Sequence, residues 1–134
     1  MSFGDIVSDR LRTITHRGCR ILFTDYSRLI RWEDWHALVE AELQLMPQHQ
    51  PASVLACAVF TGSRFSDEVF DAISRLAVAN RPYIKASALV GLSPLQRAVF
   101  LKGIERASSR GFGLFDTVEE ALDWLVEQDA RSGP

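Results

Sequence analysis

Short polar segments that could bind an anion follow the apolar segments of this chain. Serine and threonine hydroxyls, together with an arginine, could hold a small anion, and a hydroxyl can also accept a phosphoryl group. In an open α/β sheet the carboxyl ends of parallel strands meet at one edge, beside helix N-termini that present free N–H groups. The chain therefore offers a candidate partner or phosphoacceptor site made of Asp25, Thr61, Ser63, Arg64, Ser66 and Ser93.

The same residue types also serve the backbone without any ligand. Ser66, Ser93 and Thr117 stand where three predicted helices begin, and an N-cap uses its hydroxyl to accept a backbone N–H. Asp25 and Asp116 follow predicted strands, where loop carboxylates are common. We therefore favour capping and loop geometry for these residues, with an anion or phosphoryl site as the alternative.

Residue patterns that accompany metal binding and catalysis do not occur in the sequence. The histidines His16, His36 and His49 are too scattered for a zinc-binding helix, and neither Cys19 nor Cys57 has a second cysteine at C-x₂-C spacing. Nucleophile-elbow, Walker A and dinucleotide-binding motifs are also missing from the chain. The sequence predicts a protein that is not an enzyme, with no catalytic residues, no cofactor and no metal site.

Composition excludes several classes of protein. Lys and Arg number 15 and Asp and Glu number 17, so the net charge is −2 with neutral histidines, unlike that of a strongly basic nucleic-acid binder. No run approaches the ~18 consecutive apolar residues of a membrane span. Asp5 and Asp9 disfavour an export signal, and cysteines within apolar runs fit a reducing compartment. We expect a cytoplasmic protein that binds no nucleic acid and has no membrane span.

Hydrophobic periodicity and turn residues predict a hairpin followed by alternating helices and strands. Gly18 supplies the hairpin turn, and an amphipathic helix is predicted from Trp32 to Met46. Three further helices open with Ser66, with a capping box at Ser93 and with a second one at Thr117. The predicted strands are 12–16, 19–25, 53–60, 86–91 and 111–115.

This order of elements predicts an α/β fold. We expect a single domain over residues 1–134, with a mixed, mostly parallel five-stranded sheet, an N-terminal antiparallel hairpin strand and about four helices. Its core should span residues 12–128, with frayed termini. Trp32 and Trp35 lie three residues apart on the first predicted helix, so they could face a partner together or cover the sheet.

Four segments of the chain resemble the bacterial STAS and SpoIIAA-like domain family, which is related to CRAL-TRIO lipid-transfer domains. They are Ile21–Ser27, Phe60–Phe65, Lys85–Ser93 and Phe115–Leu125, in the order that the family has. The resemblance implies a sheet with helices, no bound cofactor, and a protein partner, which in STAS domains is a kinase that phosphorylates a loop hydroxyl. The matching loop here, Thr61-Gly62-Ser63, lacks the aspartate of the family's phosphoacceptor segment.

Two functions follow as expectations. The first is a non-enzymatic, cytoplasmic regulatory or protein-interaction domain of STAS/SpoIIAA-like type, which acts through its surface on a protein partner or as a homodimer. The alternative is a domain that binds a small apolar, lipid-like molecule in a cleft between its helices. The missing catalytic motifs and the near-neutral charge favour the first.

Overall fold

Five strands form one mixed sheet. The computed structural model of the chain describes residues 3–108 and 111–132. The strands lie side by side in chain order, with β1 antiparallel to β2 and every later pair parallel. This arrangement confirms the predicted α/β domain with a mostly parallel sheet and an antiparallel hairpin strand. The strands are β1 (Leu11–His16), β2 (Cys19–Asp25), β3 (Val54–Val59), β4 (Ile84–Val90) and β5 (Gly113–Phe115).

Helical segments connect each pair of neighbouring parallel strands. A π-helix, Phe100–Ile104, joins the fourth helix to the fifth, and 3₁₀ turns, Met46–Gln48 and Arg81–Tyr83, follow the second and third. Within residues 3–108 and 111–132, no helix has the length and apolar character that crossing a membrane requires. The helices are α1 (Phe3–Arg10), α2 (Trp32–Leu45), α3 (Asp67–Asn80), α4 (Pro94–Val99), α5 (Glu105–Ser108) and α6 (Val118–Ser132).

Local chemistry sets several element boundaries. Arg17 and Gly18 have positive φ angles of 49° and 80°, the combination that a two-residue hairpin turn of type I′ requires. The Ser66 hydroxyl accepts a hydrogen bond from a first-turn N–H at 3.2 Å and so begins α3. Ser93 and Gln96 form the predicted capping box at the start of α4.

Helices cover the sheet on both faces. On one face, Ile21 of β2 belongs to an apolar cluster that includes Leu125 of α6. On the other face, Leu89 of β4 packs in a cluster with Trp35 of α2 and Ile73 of α3. The central strands therefore carry apolar side chains in both directions, which is the pattern of a buried parallel sheet.

Residues 3–10 and 129–132 are helical, although the sequence predicts fraying near the termini. Ile6 of α1 is buried, and Arg10 Nη1 donates hydrogen bonds to the carbonyls of Asp25 and Ser27 at 3.0 and 2.7 Å. A helix of eight residues is marginal on its own, so these tertiary contacts stabilise it. At the other end α6 continues to Ser132, and residues 133–134 lie outside the described residues.

The helix predicted after Ser93 is divided into α4, the π-helix and α5. Phe100 and Ile104, the two ends of the π-helix, are both buried. Gly103 lies against α3, because a Cβ added to it would come within 2.6 Å of the Phe70 ring. The absence of a side chain at Gly103 therefore lets this segment approach α3 closely, and such π-helical turns occur often at functional sites.

We expect Leu89→Asp to abolish cooperative folding. Leu89 is buried between the sheet and two helices, so an unpaired carboxylate there costs several kcal/mol, a large part of the stability of a domain. Leu95→Asp is the matched control, since Leu95 is 76% exposed. Urea unfolding followed by circular dichroism measures both. A wild-type transition in Leu89→Asp would contradict the placement of β4 in the core.

Candidate functional site

The candidate site residues predicted from the sequence all lie at the strand-end edge, where β2, β3 and β4 finish. Backbone hydrogen bonds join the loops of this edge: the Arg28 N–H donates to the Thr61 carbonyl at 2.9 Å, and the Arg64 N–H donates to the Leu29 carbonyl at 3.2 Å. Gly91, just after β4, touches Thr61, because an added Cβ would overlap Thr61 Oγ1 and lie 3.0 Å from its Cα. The residues gathered here are Asp25, Thr61, Ser63, Arg64, Ser66 and Ser93.

Three of the four hydroxyls at the strand-end edge form hydrogen bonds with backbone groups. Ser63 is only 8% exposed, and its Oγ donates to the Phe60 carbonyl at 2.7 Å. Ser93 Oγ accepts from the Gln96 N–H at 3.2 Å, and Gln96 Oε1 accepts from the Ser93 N–H at 2.9 Å. The caps predicted at Ser66 and Ser93 are thus confirmed, while Thr61 is exposed.

The two aspartates of this edge also bond to other groups of the protein. Asp25 Oδ1 accepts from the Ser27 N–H at 2.9 Å, and Asp116 Oδ1 lies 2.7 Å from Arg97 Nη2. Arg64 is exposed. Across the described residues, no group of three or more His, Cys, Asp or Glu could hold a metal ion. The geometry here is that of turns and surface ion pairs.

The two cysteines lie in surroundings that disfavour a thiolate. Burial raises the pKa of Cys57 to about 12. Burial and a hydrogen bond to Asp129 at 3.5 Å also raise the pKa of Cys19, and the same Asp129 binds Lys85 Nζ at 2.7 Å. Since the thiolate is the reactive form, both thiols are poor nucleophiles at neutral pH.

A buried carboxyl group, which sequence analysis missed, joins α2 to β2 and α3. Glu42 is 8% exposed. Thr24 and Tyr26 donate to its Oε1 at 2.8 and 3.1 Å, and Asn80 Nδ2 donates to its Oε2 at 2.8 Å. Burial, together with the carboxylate, raises the pKa of the Tyr26 phenol well above its ordinary value. We call these four residues the Glu42 cluster.

The Glu42 cluster lines a small cavity in the core. The cavity measures about 60 Å³, and its remaining walls are largely apolar. Such a volume admits water-sized molecules, whereas pockets for organic ligands measure roughly 300–1,000 Å³. A lipid-like ligand would therefore require the helices to move apart. Among the lining residues are Leu22, Thr24, Tyr26, Glu42, Asn80, Ser87, Leu89 and Phe100.

A surface groove of about 300 Å³ lies between the N-terminal halves of α2 and α3. The two tryptophans of α2 differ in how deeply they are buried. Trp35 is fully buried and stacks on Tyr26 at a centroid distance of 5.1 Å, whereas Trp32 is half-buried and lies on the groove wall. The Trp32 and His36 rings are 5.6 Å apart. We define the α2–α3 groove by Trp32, His36, Glu68, Asp71, Ala72 and Arg75.

We expect Glu42→Leu to lower the free energy of unfolding by at least about 2 kcal/mol, because it leaves buried donors on Thr24, Tyr26 and Asn80 without their acceptor. Glu40→Leu is the control: Glu40 forms a surface ion pair with Arg75 at 2.6 Å, and its loss should cost less than about 1 kcal/mol. Chemical denaturation gives both values, and equal effects would contradict a structural role for the Glu42 cluster.

We expect Gly91→Ala to destabilise the domain more than Gly18→Ala does. Both glycines have positive φ, 78° and 80°, so each alanine pays a similar backbone cost of about 1 kcal/mol. At Gly91 the new methyl group also meets Thr61, whereas nothing lies within 4 Å at Gly18. Thermal melting of the two variants compares them directly, and equal melting temperatures would argue against the close packing of these loops.

Comparison with known proteins identifies no relative. A scan against family models, a search of curated proteins and a search of solved structures each found no match. The strand-end edge, the Glu42 cluster and the α2–α3 groove are therefore the features from which a function can be argued.

Proposed function

We propose that this chain is a non-enzymatic regulatory or protein-interaction domain of STAS/SpoIIAA-like type, and that it binds a protein partner through the α2–α3 groove. The observation that carries the proposal is the position of Trp32, half-buried on the wall of a groove while Trp35 fills the core. Tryptophan is enriched at protein interfaces and at the residues that dominate their binding energy. Ile30, two residues before Trp32, adds a side chain that is 66% exposed.

The strand-end edge supports binding over chemistry. Its hydroxyls and carboxylates bond mainly to the backbone of their own loops, with Ser63 buried and Ser66 and Ser93 capping helices. Nucleophilic catalysis instead needs a nucleophile within hydrogen-bond reach of a base. The resemblance to STAS domains adds a reason to expect a regulatory role, and the mixed sheet with helices agrees with the fold that it implies.

A phosphorylation switch would act on the hydroxyls at the strand-end edge. Thr61 is exposed and does not cap a helix, and its Oγ1 packs against Gly91, so a kinase would reach the hydroxyl once this side chain turns outward. Ser63 offers no such access, because its hydroxyl is buried against the Phe60 carbonyl. Within this proposal Thr61 is the phosphoacceptor that the geometry favours.

The test compares two tryptophan variants in capture of a partner. Trp32 lies in the groove, whereas Trp124 is half-buried on α6, against Phe115. Crosslinking in a lysate of the source cell, with wild type, Trp32→Ala and Trp124→Ala as baits, would identify proteins whose capture depends on the groove. Titration with the purified partner should then show about 30-fold weaker binding for Trp32→Ala, or roughly 2 kcal/mol, with Trp124→Ala close to wild type.

Three outcomes would contradict the proposal. They are capture of no specific protein by the wild type, equal loss in both variants, and full retention by Trp32→Ala. Thermal melting of each bait keeps unfolding separate from loss of binding. Light scattering identifies the case in which the partner is a second copy of this chain.

A further inference from the structure

We infer that the α2–α3 groove receives one basic side chain of the partner, with arginine preferred over lysine. The inference rests on the proposed function, because it names the chemistry of the contact at that site. The negative charge of the groove, its aromatic wall and its size each support it.

The groove carries uncompensated negative charge. Glu68 and Asp71 stand three residues apart on α3, a spacing that places them on one face, and both are exposed. Neither forms an ion pair with another residue in the part of the chain that the structure describes. Arg75 also lines the groove, but its Nη2 lies 2.6 Å from Glu40 Oε1. Counting His36 as neutral, the groove keeps the charge of its two free carboxylates.

Helix stability explains part of this charge. Glu68 lies in the first turn of α3, where a carboxylate complements the positive end of the helix dipole. Asp71 lies one turn further along α3, beyond the first-turn acidic residues Asp67 and Glu68. The helix dipole therefore stabilises a carboxylate at Asp71 less than one at Glu68. A ligand of opposite charge in the groove would contact both carboxylates together.

The aromatic wall selects the kind of cation. An indole is the side chain whose face attracts a cation most strongly, and Trp32 presents one beside the His36 ring. The methylene stem of a long basic side chain could pack along Trp32 and Ala72 while its head reaches the carboxylates. A guanidinium group fits best, because it is planar, stacks on aromatic rings and binds carboxylates through two N–H groups.

Size and charge argue against other occupants. A volume of about 300 Å³ is at the lower limit for a small-molecule pocket, so it suits one extended side chain better than a helix. An acidic peptide would bring its charge against Glu68 and Asp71, and a neutral one would leave them unpaired.

The test uses short peptides and nuclear magnetic resonance of the whole protein. Acetyl-Gly-Arg-Gly-amide is titrated in parallel with its lysine analogue and its citrulline analogue, which has nearly the shape of arginine without the charge. We expect the arginine peptide to shift the Trp32 indole N–H and the Ala72 amide with roughly tenfold higher affinity than the citrulline peptide. Added salt should weaken the binding of the arginine peptide.

Charge-removing variants with a matched control localise the binding. The double variant Glu68→Gln/Asp71→Asn should lose the preference for arginine over citrulline. Glu119→Gln/Glu127→Gln removes the same charge from exposed residues of α6 and should keep that preference. All four side chains are exposed, so both variants should fold, as melting verifies.

The results separate this inference from the proposed function. Equal binding of arginine and citrulline peptides, no shift at Trp32 up to the solubility limit, or an unchanged preference in Glu68→Gln/Asp71→Asn would each overturn the basic-side-chain inference. If the captured partner then still depends on Trp32, the proposed function stands and the inference alone fails. If partner binding is also independent of Trp32, both fail.

Discussion

The hydrogen bonds to Glu42 are the interaction on which the rest of the structure depends. They join α2 to β2 through Thr24, to the residue after β2 through Tyr26, and to α3 through Asn80. In a core of low polarity such bonds are directional, whereas the surrounding apolar contacts tolerate small displacements. The two helices that carry the α2–α3 groove are therefore fixed to the sheet and to each other by the same carboxyl group. These bonds lie toward the C-terminal ends of α2 and α3, and the groove lies toward their N-terminal ends.

Polar residues in this protein differ in whether their side chains bond to other groups of the fold. At the strand-end edge, Ser66 and Ser93 satisfy helix N–H groups that would otherwise lack partners, and the Ser63 hydroxyl donates to the Phe60 carbonyl, so these serines serve the fold itself. Glu68 and Asp71 have no such internal partner in the described part of the chain. The fold does not require these two carboxylates, and their position in one groove with Trp32 is the physical reason for placing function there.

The sequence predicts those features of the fold that depend on residues close together in the chain. The hairpin turn at Gly18 and the capping box at Ser93 depend on neighbouring residues, so the sequence contains their full signal. Helix α1 depends on contacts of Arg10 with residues 15 and 17 positions away, and the π-helix follows from the approach of Gly103 to Phe70. No local pattern encodes such contacts, because they exist only once the chain has folded.

Some residues of the candidate sites can likewise be predicted from the sequence, and others cannot. The strand-end residues can be predicted from the sequence because topology alone brings strand ends together. Glu42 is not among the predicted residues, although a charged residue on the apolar stripe of α2, four positions after Leu38, is a sign of a buried polar contact. The groove is harder to predict, since Trp32 and Asp71 lie on different helices and meet only through packing.

Replacing a carboxyl group that is buried among its hydrogen-bond donors lowers the stability of the fold considerably, whereas replacing an exposed carboxylate changes it little. Substitutions at Glu68 and Asp71 can therefore change the charge of the groove at little cost in stability, whereas Glu42 is needed to join α2 to the sheet and to α3.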